Sequence, residues 1–360
     1  MKKLFSFALI TCYSFLAFSA PDQAPKKIKV GVSPVVTSSG LFLAYEKGYF
    51  KDEGLDIELV QMKSSGAQMT LLLSKGELDV GGGNLTAGLY KAIADGLNFK
   101  IVADKGHVDE TIDSVSLIIR KDLITSGKYK SPKDLKGLKI ALTSIDGSSQ
   151  QIVMDQILKD AGLNGKDVEY VKLSYPESNA ALKTKAIDGV IQLDPYLTMA
   201  INDGYAEEVI ASNKVLKNQQ SGALFYSPEF IKNKTAAQKF MKSYLKGVRL
   251  YNQALTDKNL MSEVTQSLKK HIEITDEKIW QNLRKVGLTN DGKLNTDSML
   301  SDIKWYHDNG YLEKTPTLEQ FLDSKFAEAA TVELDKKVKK TTSKKNKGTY
   351  QKKNTQHEHQ

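Results

Sequence analysis

Short strand-like runs alternate with helix-like runs along most of the chain, and this order limits the fold to a few classes. Residues 27–32 are strand-like, 40–50 helix-like and 56–62 strand-like again. A helix-like run over 66–76 then leads into a short apolar run at 78–80. Strands separated by helices are typical of βαβ units, so the sequence predicts an α/β fold with a mainly parallel sheet.

An internal repeat with an offset of about 110 residues predicts two similar lobes. Segment 28–40 (IKVGVSPVVTSSG) has the same order of strand, serine-rich turn and helix as segment 138–150 (LKIALTSIDGSSQ). Segment 73–96 is matched in the same way by 182–204, and both end in Asp-Gly. Chance similarity among α/β segments is the alternative, and two paired matches at nearly equal offset count against it.

The two ends of the chain differ from its middle. Beyond residue 227 the pattern changes to long amphipathic helices, which we expect to wrap back over a lobe. The predicted division is a signal peptide at 1–19, the first part of lobe 1 at 26–115, lobe 2 at 116–221, the return to lobe 1 with C-terminal helices at 222–331, and a disordered Lys-rich tail at 332–360.

The first residues are typical of an export signal. Lys2 and Lys3 precede an apolar run over 4–16, which is shorter than the roughly 18–20 residues that a membrane span needs. Cleavage after Ser19 would release a soluble periplasmic protein. The chain's single cysteine, Cys12, lies in the removed segment, so we expect no disulfide and no thiolate metal site in the mature protein.

The net charge of +8 comes from the two ends of the chain. Of 51 basic residues, two lie in the signal segment and nine lie in 336–360, where Glu358 is the one acid. Residues 20–335 therefore hold 40 basic and 42 acidic residues, which gives no sign of nucleic-acid binding. The basic tail could instead contact an anionic membrane surface, although a solvated end is the simpler interpretation.

Six motifs carry a resemblance to a known family by their order and spacing. They are 48-GYFKDEGLDIELV-60, 76-GELDVGGGN-84, 132-PKDLKGLKIAL-142, 187-IDGVIQLDPYLTMAINDG-204, 305-WYHDNGYL-312 and 321-FLDSKFAEAA-330. With these motifs the chain is similar, over about residues 28–330, to the solute-binding proteins of ABC importers for nitrate, taurine, aliphatic sulfonates and thiamine-pyrimidine precursors. The resemblance implies a type II periplasmic-binding fold, in which two doubly wound lobes joined by a hinge close on a small organic solute. It also implies that the protein, as a monomer, docks on a separate permease chain.

Ligands of open α/β sheets lie beyond the carboxyl ends of the strands. In each lobe two strand-to-helix turns should meet there, and we interpret Gly81–Gly83 as a glycine turn facing the turn 193–196. Helix capping for each serine and a surface role for the histidine are the alternatives. The candidate ligand-binding residues are Ser38, Ser39, Gly40, Gly82, Gly83, Asn84, His107, Ser148, Ser149, Asp194 and Tyr196.

The candidate loops also bear on the chemistry. They contain no arginine, and Arg284 is interpreted as helical. Because Asp146 and Asp194 lie nearby, a neutral, zwitterionic or cationic head group is favoured over a simple anion. The enzyme alternative is a pyrimidine or menaquinone-precursor enzyme of the same fold; such pyrimidine synthases resemble the opening segment but use a cysteine-rich iron site. We expect a binding protein with no catalytic residue, cofactor or metal.

Overall fold

The computed structural model describes residues 27–62, 67–112 and 114–336. The predicted signal peptide and residues 337–360 of the predicted tail lie outside these residues. The strands are β1 (Ile28–Val32), β2 (Ile57–Gln61), β3 (Val80–Asn84), β4 (Lys100–Val108), β5 (Val115–Arg120), β6 (Lys139–Leu142), β7 (Glu169–Lys172), β8 (Gly189–Leu193), β9 (Ala206–Ala211) and β10 (Gln219–Tyr226).

Helices follow most of the strands and cover both sheets. None of the helices in the described part of the chain is long and apolar enough to cross a membrane. The helices are α1 (Ser39–Glu46), α2 (Tyr49–Asp52), α3 (Ala67–Ser74), α4 (Ala87–Ala94), α5 (Lys121–Thr125), α6 (Ser149–Asp160), α7 (Tyr175–Lys183), α8 (Tyr196–Asn202), α9 (Lys234–Ala254), α10 (Lys258–Leu268), α11 (Glu277–Asn282), α12 (Thr296–Asp308), α13 (Leu318–Phe321) and α14 (325–336).

The strands form two five-stranded sheets with equivalent strand orders. Lobe 1 has the order β2-β1-β3-β10-β4 and lobe 2 the order β7-β6-β8-β5-β9. In each sheet the first three strands are parallel, and the fourth is antiparallel to both of its neighbours. The predicted fold class, two α/β lobes with a helical C-terminal part, is confirmed. The sheets differ from the prediction only in that each includes one antiparallel strand.

The chain passes between the lobes twice. It leaves sheet 1 at Val108 and enters sheet 2 at Val115, then leaves sheet 2 at Ala211 and re-enters sheet 1 at Gln219. The predicted boundary after residue 221 was wrong by a few residues, because it falls inside β10. The polar start of β10 looks like a loop in the sequence, but Gln220 is buried and its side chain donates to Asp104 Oδ1 at 2.7 Å.

Helix α9 contributes its apolar face to the core of lobe 1. Its apolar face packs on α1, and the two backbones approach so closely that a Cβ on Gly247 would lie 2.1 Å from the Gly40 carbonyl oxygen. A Cβ on Gly40 would in turn lie 2.6 Å from Val248. Both glycines are therefore needed for the close contact between α1 and α9. The length and the apolar periodicity of α9 give it the continuous face that this contact uses.

Helix α14 continues past the predicted start of the tail at residue 332. Leu334 is buried, and Asp335 Oδ1 accepts from Arg249 Nη1 at 2.7 Å. Ala327, Ala330 and Leu334 recur at helical spacing and pack on the core of lobe 1. The folded part thus extends to at least residue 336, which corrects the predicted boundary.

Candidate ligand-binding cleft

The lobes contact each other along both sides of the cleft between them. On one side, Ala87 N donates to Gly147 O at 3.1 Å, and Ser149 N donates to Leu85 O at 3.4 Å. On the other side, Val36 N donates to the backbone oxygen of Asp194 at 3.2 Å. These bonds join lobe 1 directly to lobe 2, so the structure represents a closed state.

A small cavity lies between the closed lobes. Its volume is about 30 Å³, enough for one or two water molecules. Larger depressions of about 500 Å³ lie elsewhere on lobe 1, open to solvent and away from the cleft. The cavity is lined by Thr37, Asn84, Lys105 and Ser221 of lobe 1 and by Ser149, Gln150 and Tyr175 of lobe 2.

Lys105 places a positive charge at this cavity. The residue is 3% exposed, and within the described residues its ammonium group has one hydrogen-bond partner, Thr37 Oγ1, at 3.2 Å. Burial lowers the pKa of Lys105 to about 8, while the charge of Asp104 opposes this shift. Below that pH the lysine is mostly protonated, and its ammonium group has spare hydrogen-bond donors.

Gly82 provides the space for this lysine. Gly81–Gly83 were predicted as a turn, but they are part of β3, paired with β1 on one side and β10 on the other. A Cβ on Gly82 would lie 2.8 Å from Lys105 Cδ. A Cβ on Gly81 would lie 2.8 Å from the sulfur of Met69. The glycines thus admit large side chains on both faces of a central strand, which local sequence could not reveal.

Asn84 and Ser149 are the two predicted residues whose side chains reach the cavity. Asn84 Nδ2 donates to the Tyr175 hydroxyl across the cleft at 3.1 Å. Ser149 is the first residue of α6, so the positive end of that helix dipole lies at the cavity. Ser148 instead caps α6: its Oγ accepts from Gln151 N at 3.2 Å.

Ser38, Ser39 and Gly40 lie away from the cavity. The Ser38 hydroxyl donates to Ser33 O at 2.8 Å, the Ser39 hydroxyl donates to Val36 O, and both side chains are fully buried. Gly40 faces α9, as described above. The prediction placed all three at the ligand, whereas Thr37 is the residue of this turn that lines the cavity.

His107 also lies away from the cavity, in a depression on the outer side of the strands that link the lobes. Its Nδ1 is 3.0 Å from Asp104 Oδ2. Burial opposes the charged imidazole, but the hydrogen bond and charge of Asp104 outweigh it and raise the pKa of His107. Sequence reasoning chose His107 from the segment 104–108 and missed Lys105, two residues earlier. The available signal was a lysine that follows directly after the apolar run 101–103 and Asp104 in the strand KIVADKGHV.

Asp194 lies at the interface between the two lobes. Its side chain is fully buried; Oδ1 accepts from Thr198 Oγ1 at 2.8 Å and Oδ2 accepts from the backbone N–H of Arg284. Burial raises the pKa of Asp194 despite these bonds. Arg284 lies beyond the end of α11, so its helical assignment was wrong.

Tyr196 is the last of the predicted ligand-binding residues, and Asp146 is the second acid used to predict the charge of the ligand. The Tyr196 ring stacks on that of Tyr175, with 6.1 Å between centroids. Asp146 has a 77% exposed side chain that pairs with Lys172. Because Asp146 and Asp194 both turn away from the cavity and Lys105 lines it, the basis for preferring a cationic head group is removed.

A family comparison agrees with this architecture. Residues 22–266, more than half of the chain, match the profile of the NMT1-like family. The chain belongs to the NMT1-like family. Within the described residues of this NMT1-like protein, no group of three His, Cys, Asp or Glu side chains could hold a metal ion.

Two curated relatives have different names. The 4-amino-5-hydroxymethyl-2-methylpyrimidine phosphate synthase THI11 of Saccharomyces cerevisiae is 27% identical over 164 residues, 44% of this NMT1-like chain and 45% of the relative. The chain therefore spans about half the length of that enzyme. A protein of Brachyspira hyodysenteriae named as an ABC transporter periplasmic binding protein is 26% identical over 247 residues, 65% of this chain and 69% of the relative.

Solved structures show the same fold. The periplasmic nitrate-binding protein NrtA from Synechocystis superposes with a TM-score of 0.71 at 14% identity, covering 86% of this chain and 89% of its own. The alkanesulfonate-binding protein SsuA from Xanthomonas axonopodis, bound to MOPS, gives a TM-score of 0.64 at 17% identity, covering 81% and 95%. At these identities the likeness establishes the periplasmic-binding fold of this NMT1-like protein.

Proposed function

We propose that this NMT1-like protein is exported, captures a small solute with an anionic group between its lobes, and delivers it to a separate ABC-type permease. The observation that carries this proposal is the buried ammonium group of Lys105 at the interlobe cavity. A buried charge is costly unless it is paired, so a site that keeps one is suited to a ligand of opposite charge.

Other groups at the cavity suit the same ligand. The Thr37 hydroxyl accepts from Lys105 and can donate its proton to an anionic oxygen, and the positive end of α6 adds to the favourable potential. The Ser149 hydroxyl donates to Ser221 O at 3.4 Å, a long bond that a ligand oxygen can replace. Because the closed cavity is only about 30 Å³, it fits a compact anionic head; a bulkier solute would hold the lobes further apart. The nitrate-binding and alkanesulfonate-binding proteins of the same fold, by their names, bind anions of this kind.

Closure would couple capture to delivery. Lys105 and Thr37 belong to lobe 1, whereas Ser149 and Tyr175 belong to lobe 2. A ligand that contacts both sets binds the closed form more tightly than the open form and shifts the equilibrium towards closure. The permease would then recognise the closed form.

A binding panel tests the proposal. Calorimetry and thermal shift would compare nitrate, a short alkanesulfonate, a carboxylate and a neutral pyrimidine on the purified protein. We expect at least one anion to bind with one-to-one stoichiometry and to raise the melting temperature, and the pyrimidine to do neither. Binding confined to the neutral pyrimidine would contradict the proposal.

The enzyme alternative is a reaction on a pyrimidine or menaquinone precursor, and the name of the yeast pyrimidine phosphate synthase favours the pyrimidine reaction. A binding protein returns its ligand unchanged after long incubation, while an enzyme converts it. Recovery of the bound molecule by mass spectrometry separates the two functions.

A further inference from the structure

A segment after α11 connects lobe 1, the hinge and lobe 2. Val286 N donates to the Tyr251 hydroxyl at 3.2 Å, which ties the segment to lobe 1. His107 N donates to Gly287 O at 3.2 Å, which ties it to the strand that leads to lobe 2. The segment is therefore held in place directly after Arg284, and helix α11 ends two residues before it.

Arg284 reaches lobe 2 from this position. Its guanidinium group donates from Nη1 to Glu208 Oε1 at 2.9 Å and from Nη2 to Glu208 Oε2 at 2.5 Å. Its backbone N–H donates to the carboxylate of Asp194. Glu208 is itself oriented by the Ser116 hydroxyl, which donates to Oε1 at 2.7 Å. One residue of lobe 1 thus makes three charge-assisted hydrogen bonds to two acids of lobe 2.

The pair is partly shielded from water, with side-chain exposures of 21% for Arg284 and 27% for Glu208. Two parallel N–H···O bonds between a guanidinium and a carboxylate fix orientation as well as distance. Partial burial reduces screening by salt compared with a fully exposed pair. Both side chains lie outside the lining of the cavity, so they act on lobe position and not on the ligand.

We propose that Arg284 and Glu208 form an electrostatic latch that holds the lobes closed and sets the rate at which the ligand leaves. The ligand part of this inference rests on the proposed function. Because the pair joins the two lobes in this closed structure, it should stabilise the closed state and leave ligand entry into the open state unchanged. Arg284 is in this sense a positioning residue.

The opposite side of the cleft provides a native probe of closure. Trp305 Nε1 of lobe 1 donates to Asp155 Oδ2 of lobe 2 at 3.0 Å. The chain has two tryptophans, so a Trp280→Phe background leaves Trp305 as the single fluorophore. Opening of the lobes would break the bond and expose the Trp305 ring, which shifts its emission to longer wavelength.

The experiment compares Arg284→Gln, Glu208→Gln and the double variant in this background, with and without the anion that binds in the panel. The matched control is Glu207→Gln, which removes the neighbouring carboxylate on β9, one that pairs with Lys121 inside lobe 2 at 3.2 Å. Each protein is measured for Trp305 emission, for the association rate constant and for the dissociation rate constant.

We expect each latch variant to raise the dissociation rate about tenfold and to change the association rate less than about twofold. The double variant should match the single ones, because both remove the same interaction. In the unaltered protein, raising NaCl from about 0.05 M to about 0.5 M should speed release, and the variants should lose most of this dependence. Glu207→Gln should resemble the unaltered protein.

Equal dissociation rates and equal Trp305 emission in the latch variants would overturn the inference, as would the same effect in Glu207→Gln. If the glutamine variants do not fold, Arg284→Lys keeps the charge and loses the two parallel hydrogen bonds to Glu208, and it should still speed release; an unchanged dissociation rate in that variant would overturn the inference. If no anion binds, the proposed function fails, and the ligand-free Trp305 emission of the variants tests the latch separately.

Discussion

β3 and β8 hold equivalent positions in the two sheets, yet they contribute differently to the cleft. In β3, Gly82 leaves space for the side chain of Lys105 at the cavity. In β8, Gln192 is fully buried and donates within lobe 2 to Asn179 Oδ1, and the following Asp194 binds lobe 1. The glycine of one strand thus makes room for a ligand-facing charge, whereas the acid that follows the other strand bonds lobe 2 to lobe 1. Equivalent topology therefore does not imply equivalent chemistry.

The largest expected effect comes from the charge that β3 accommodates. Lys105→Met keeps the side-chain length and removes the ammonium group, so we expect anion affinity to fall about 100-fold, or about 3 kcal/mol. The ligand-free protein should melt at a higher temperature, because an incompletely paired buried charge is gone. Calorimetry and thermal unfolding measure the two effects. Lys75→Met, on the exposed surface, is the control, and equal affinity in both variants would contradict the assignment.

Alanine in each strand tests the comparison directly. Gly82→Ala should displace the flexible end of Lys105 and weaken binding about tenfold while the fold is retained. Gly189→Ala in β8 places a Cβ 2.5 Å from Ile119 Cδ1 and 2.9 Å from the Ile118 carbonyl oxygen. We expect it to cost about 1–3 kcal/mol of unfolding free energy.

Unfolding in urea and calorimetry separate these two outcomes. Gly88→Ala, where the nearest atom would be 3.9 Å away, is the neutral control. If Gly82→Ala lost stability while affinity stayed constant, β3 would have the packing role assigned to β8.

The pH dependence should follow Lys105. Its folded pKa of about 8 is below the usual 10.5, so affinity for an anion should decline as the pH rises above about 8. For the ligand-free protein the sign is opposite: between those two values the unfolded chain binds more protons than the folded one, so this lysine makes stability rise with pH. Titrations from about pH 6 to pH 10 would show a flat profile in Lys105→Met. A fall in affinity that persisted in that variant would point to another group.

A smaller effect is expected from the acid that follows β8. In Asp194→Asn the amide oxygen can still accept from Thr198, but the amide NH2 group then faces the Arg284 N–H, so a donor faces a donor. If the amide is flipped, its oxygen accepts from Arg284 and the NH2 group faces Thr198 instead. We expect an affinity loss of about fivefold with an unchanged order of preference among anions. Competition binding measures that order. A changed order would restore Asp194 as a ligand contact.

The fold could be predicted from the sequence because the patterns that indicate it lie within short segments of the chain. Alternating strand and helix runs predicted the α/β class, and the repeat at about 110 residues predicted two equivalent lobes. The turns that the repeat aligned also brought Asn84 and Ser149 to the cavity. The same reasoning placed the return to lobe 1 inside β10, because buried polar residues such as Gln220 look like loop residues until their partners are known.

The candidate site was harder to predict from the sequence, since its residues come together only after folding. A serine at the start of a helix can hydrogen-bond either a ligand or a nearby backbone group, and the hydroxyls of Ser38 and Ser39 bond backbone oxygens. Lys105 was missed because a strand's sequence does not say what lies opposite each face. The need for a glycine at position 82 is visible only in the folded structure, where Lys105 packs against it.

The sequence by itself determined the alternation of elements, the two-lobe repeat and the residue types available at the strand ends, because these depend on periodicity along the chain. The tertiary structure alone decided which of those residues face the ligand, which fasten the lobes and which cap helices. Hydrogen bonds and burial between residues such as Arg284 and Glu208, 76 positions apart, depend on where whole elements pack, and no local pattern encodes that.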